Sequence, residues 1–170
     1  MKISNKLLII LNCIVVIIFL FPLQYLNLFN ENYSTLSLNT RGYFYLLFIG
    51  IIMGLLLGYE TYISNNFKYG LIMFLALLIG VIVPHHYPYD LQGNIHLLLA
   101  YIGSFVSILI TYMNIMKYNN RTLQNILIFS IGIVILMYMK YMMFNCIAEV
   151  VLMLTVMICN LVLYIKISRT

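Results

Sequence analysis

Residues 95–116 read IHLLLAYIGSFVSILITYMNIM, without one Asp, Glu, Lys or Arg. Crossing about 30 Å of hydrocarbon takes roughly 20 apolar residues at 1.5 Å each, and this run is long enough. Backbone groups in lipid must pair within their own segment, so the run predicts a transmembrane helix. Five further apolar runs flank it: 7–28, 43–62, 69–83, 126–143 and 147–165. The expectation is an all-α, polytopic membrane protein, a single domain built as a six-helix bundle.

Composition agrees. Of the 170 residues, 64% are hydrophobic and 8% charged, with a mean hydropathy of +1.04. Soluble domains carry about a quarter charged residues. A soluble enzyme, a disordered chain and a DNA-binding domain are thereby excluded. The net charge of +5 does not signal nucleic acid, because the basic residues lie between the apolar runs. The cysteines (Cys13, Cys146, Cys159) form no CxxC and predict no disulfide framework. Lys2 and Lys6 precede the first run as in a signal peptide. Phe21-Pro22-Leu23-Gln24-Tyr25 offers no small-residue cleavage site, so an uncleaved helix is expected.

With six helices both ends lie on one side. Lys2, Lys6, Lys68, Lys117, Arg121, Lys166 and Arg169 collect there, against Arg41 and Lys140 opposite. The positive-inside rule then places both termini in the cytoplasm of a cell-membrane protein. Gly50, Gly54 and Gly58 share one face of the second helix, a glycine zipper that predicts close approach of another helix. Gly103, Ser107 and Thr111 give the fourth helix a similar face, so the two grooves are expected to meet each other or a third helix. The tyrosines near helix ends, such as Tyr43, Tyr45, Tyr118 and Tyr164, read as interfacial anchors.

Few residues can carry chemistry. In this topology His85, His86, Asp90, His96, Lys140 and Glu149 all fall on the outer side. Ionisable groups in membrane helices face the bundle interior or a cavity. His85, His86, Asp90 and His96 are the candidate metal ligands, although no HExxH or HxxxH is present. His96 as general base, with Glu149 and Asp90, would suit a membrane hydrolase, yet GxSxG is missing. A structural reading competes: Lys140 would pair with Glu149, and His96 would hydrogen-bond a loop carbonyl. Glu60 is expected to snorkel to the cytoplasmic interface or pair with a basic loop residue.

Gly80-Val81-Ile82-Val83-Pro84, followed by Asp90, His96 and Ala100, resembles a bacterial family of six-helix membrane proteins of unknown function, loosely DRAM/Sfk-like. In that family the third helix closes on a proline, and a loop acid precedes a His opening the fourth helix. Val83 stands where the family usually has Phe. The resemblance implies six helices and a noteworthy His96, and no reaction.

The favoured expectation is a non-enzymatic membrane component or accessory subunit in the lipid bilayer, with a membrane-protein partner or a second copy. A small solute or lipid transporter and a metal- or His-dependent hydrolase are the alternatives. No cofactor motif occurs. The Asn-, Ile-, Lys- and Tyr-rich vocabulary points to an AT-rich bacterial genome.

Overall fold

The computed structural model describes residues 3–84, 91–142 and 145–168. It is a bundle of six helices, without a strand among the described residues: α1 (Asn5–Leu20), α2 (Thr40–Ser64), α3 (Phe67–Ile82), α4 (Leu91–Lys117), α5 (Arg121–Tyr141) and α6 (Cys146–Ser168). Five segments are long and apolar enough to cross a membrane, α1 being so together with its 3-10 continuation to Tyr25. The exception, α3, has 16 residues and spans only about 24 Å. Large apolar side chains cover the outside, with Phe129 70% and Leu136 67% exposed. In water such a surface would be a liability; against lipid it is the solvated face.

Asparagines punctuate the chain. Asn39, Asn66, Asn120 and Asn145 each accept a hydrogen bond from a first-turn N–H of α2, α3, α5 and α6. Asn is among the best N-caps because its short carbonyl reaches these orphan donors. The helices therefore start two to five residues earlier than hydropathy places them, except α6, which gains one. The polar cap belongs to the helix although it looks like loop.

The first helix departs most from expectation. The α-helix ends at Leu20 rather than near Leu28, and Phe21–Tyr25 continues as a 3-10 turn. Pro22 is the reason. It has no N–H, so it deprives Ile18 of its α-helical donor and Phe19 of its 3-10 donor. Two tyrosine hydroxyls add donors here: Tyr45 donates to Ile18 O, which also accepts from Phe21 N–H, and Tyr33 donates to Phe19 O. Burial pushes the Tyr33 phenol far above its usual range, with lesser contributions from Cys146, Tyr45 and Glu149, so it stays a donor. Tyr45→Phe is expected to cost about 1 kcal/mol. The cost should shrink in a Pro22→Ala background, where residue 22 regains its N–H. Equal losses of thermal stability in both backgrounds would refute this account.

These tyrosines are internal clamps more than interfacial anchors. Tyr164 is wholly buried and donates to Ile3 O, while Ile3 N donates to Tyr59 Oη. Tyr118 likewise donates to Ser64 O, closing the end of α2.

The glycine faces meet a third helix. α3 makes its main contacts with α2 and α4. Gly50 faces Val81, Gly54 faces Phe74, and Gly58 lies against Gly70, all on α3. From the other side Gly103 of α4 meets the Ala76 carbonyl. The short α3 is thus held between two small-residue grooves. Leu8, Leu57, Met73 and Met157 fill the centre of the bundle, almost without exposure.

Candidate functional site

One end of the bundle encloses a cavity of about 470 Å³. Its walls come from the C-terminal ends of α1, α3 and α5 and the N-terminal halves of α2, α4 and α6. Most of the lining is apolar, including Leu46, Ile49, Met53, Leu97, Ala100 and Leu152. Polar groups enter chiefly from the connection between α1 and α2, which carries Asn32, Tyr33, Ser34 and Ser37, and from His96 and Glu149.

This connection is built around a second 3-10 segment, Tyr33–Leu38. Asn32 caps it reciprocally: Thr35 N donates to Asn32 Oδ1, and Asn32 N donates to Thr35 Oγ1. The stretch leading into the segment is pinned to α6 through its backbone. Cys146 N donates to Glu31 O at 2.7 Å and Ile147 N to Leu28 O at 3.4 Å. These are orphan N–H groups of the first turn of α6, and the loop supplies their acceptors.

Consecutive residues of the segment hold the two principal sequence candidates. Tyr33 N donates to Glu149 Oε2 at 2.6 Å. The carboxyl sits in the first turn of α6, where the helix dipole favours an acid. Ser34 Oγ lies 2.7 Å from His96 Nε2. His96 is 3% exposed, and its Nδ1 lies 2.6 Å from Val83 O. Pro84 explains that carbonyl: the residue before a proline is driven out of the α region, and Val83 is extended at φ −94°, ψ 121°. The Val83 carbonyl therefore turns out of α3 toward the ring.

His96 and Glu149 thus line one cavity, and His96 does bond a loop carbonyl. Asp90, His85 and His86 lie outside the described residues. Among the described residues no group of three His, Cys, Asp or Glu side chains converges on a point. The expected pairing of Lys140 with Glu149 is replaced by the Tyr33 amide: Lys140 is exposed, its ammonium 5.1 Å from the Tyr141 ring centroid. Gly50 also lines the cavity, whereas Gly54 and Gly58 serve the α2–α3 seam. Sequence does not single out Ser34. Its partner is 62 residues away, and a serine in a polar loop carries no periodic signal.

Glu60 corrects another expectation. It does not snorkel: it is wholly buried, with Oε1 accepting from Asn12 Nδ2 at 2.7 Å. Glu60 Oε2 and Asn12 Oδ1 have no hydrogen-bond partner among the described residues. Beside it Thr61 begins a buried polar seam. Asn160 Nδ2 donates to Thr111 Oγ1 at 2.9 Å, and Asn65 Nδ2 to Asn114 Oδ1 at 3.1 Å. That seam ties α2, α4 and α6 together at the end remote from the cavity.

Comparison of the chain with protein-family models, with curated proteins and with solved structures finds no match.

Proposed function

We propose that this is a ligand-binding component of the cell membrane, which holds a small amphipathic molecule in the bundle cavity. The carrying observation is the cavity's polarity: about 470 Å³ of mainly apolar space meeting Ser34, His96, Tyr33 and Glu149 at the connection between α1 and α2. Ligand sites typically have this form, with a few placed polar groups in an apolar pocket of about 300–1,000 Å³. An acyl chain suits the apolar walls, and a polar end with hydrogen-bonding atoms suits the serine, imidazole and carboxyl.

The distribution of basic residues supports an outward-facing cavity. Lys6, Lys68, Lys117, Arg121 and Lys166 lie toward the remote end of the bundle, and Arg41 and Lys140 toward the cavity end. By the positive-inside bias the cavity then opens on the extracytoplasmic half of the bilayer, and both termini are cytoplasmic.

The test is photocrosslinking of the purified protein with a diazirine-bearing palmitic acid, competed by unlabelled palmitate. Saturable labelling of α4 and α6 peptides that line the cavity is expected. Ala100→Phe, which fills the space, should lower it at least about tenfold, equivalent to 1.4 kcal/mol. Labelling confined to the lipid-facing surface, with no competition and no response to Ala100→Phe, would overturn the proposal.

A further inference from the structure

We infer that Ser34 and His96 form a nucleophile–base pair that cleaves carboxylic esters of acyl-chain molecules in the cavity; this rests on the binding reading above and adds a reaction to it. The hydrogen-bond logic carries the inference. Val83 O has no proton to give, so the neutral His96 ring carries its proton on Nδ1 and donates it there. The lone pair of Nε2 then points at Ser34 Oγ, 2.7 Å away, and the hydroxyl must be the donor. This is the arrangement that activates a serine, with an adjacent base oriented by a third group. Here a backbone carbonyl replaces the usual carboxylate as the orienting group.

A hydrogen bond that merely ties the loop to α4 would have the same length. Two features set this pair apart. The Pro84-driven carbonyl fixes the tautomer, and both side chains line a cavity able to hold an acyl chain. The end of α3 at Val83-Pro84 and His96 in the second turn of α4 are thereby parts of one device.

The reaction balances without a redox partner. Ser34 Oγ attacks the ester carbonyl carbon, and its proton passes to His96 Nε2. The bond from carbon to the alcohol oxygen breaks, and His96 returns the proton to the departing alkoxide. Water, deprotonated by the same Nε2, then attacks the acyl-serine. The acyl–Oγ bond breaks, and His96 hands its proton back to Ser34 Oγ. The products are the alcohol, the carboxylic acid and free Ser34.

The test is a fluorophosphonate bearing an alkyl chain, applied to the full-length protein and read by mass spectrometry. Serine attack at phosphorus expels fluoride and leaves a stable adduct. One adduct on the Ser34 peptide is expected, absent in Ser34→Ala and slowed about 10²- to 10⁴-fold in His96→Gln. Palmitate photocrosslinking on the same samples reports whether the cavity is intact. Wild-type protein that crosslinks palmitate but gains no adduct at Ser34 overturns ester cleavage and leaves the binding reading standing. So does an adduct whose rate is unchanged in His96→Gln. Loss of saturable crosslinking in the wild type overturns the binding reading itself.

Discussion

Replacing Gly103 by Leu is expected to prevent stable assembly of α4 on α3, at a cost of about 3 kcal/mol or more. A Cβ at this position would stand 2.2 Å from the Ala76 carbonyl oxygen. That obstacle is backbone in the middle of a helix, so it cannot rotate away. Gly58 and Gly70 form the matching contact on the other side of α3. A Cβ on Gly58 would be 2.9 Å from Gly70 O, and one on Gly70 would be 2.6 Å from Gly58 O. Helices in a bilayer gain little from apolar burial, so close backbone contact supplies much of their attraction. Even Ala at Gly58 or Gly70 should therefore destabilise. Gly132 is the internal control, because a methyl group there would meet nothing within 4 Å among the described residues. Gly132→Ala should be neutral or stabilising by up to about 1 kcal/mol. Thermal melting in a mild detergent measures all four. Equal behaviour of Gly103→Leu and Gly132→Ala would refute the packing account.

Asn12→Leu is expected to cost about 1–3 kcal/mol for an orphaned buried acceptor, and more for a charged one. Asn12 supplies the hydrogen bond to Glu60 Oε1, and Oε2 already lacks a partner. Removing the amide would leave a wholly buried carboxyl without its donor. The double variant Asn12→Leu/Glu60→Met should regain much of the loss, because removing both polar partners can be nearly neutral. Glu60→Gln keeps an acceptor for Asn12 and should stay within about 1 kcal/mol of wild type. If Asn12→Leu cost as much in a Glu60→Met background as in wild type, the carboxyl–amide bond would not be the origin of the effect.

These two predictions mark different degrees of legibility. The glycines on one face of α2 and the small residues of α4 are visible as periodicity, which depends only on helix geometry. Their meeting on α3 is one of two arrangements that periodicity allows. Glu60 misleads because its distance from the helix end suggests an interface. Its partner lies 48 residues away on α1, and nothing in the local sequence names it.

The candidate site divides in the same way. His96 and Glu149 stand out because ionisable residues are rare in apolar helices and costly to bury. Their side chains are served by Tyr33 and Ser34, in a connection that looks like ordinary polar loop. Pro22 is legible as a helix terminator, but the tyrosine hydroxyls that add donors beside it are not.

What the sequence alone determined is the all-α membrane class and the approximate runs of the helices. Both follow from length, hydropathy and the need to satisfy the backbone in lipid, which are local properties. Tertiary structure alone decided which helices α3 separates, where Glu60 finds its amide and which serine meets His96. Those outcomes depend on contacts between residues far apart in the chain, where side-chain shape and hydrogen-bond direction select one partner among many of similar polarity.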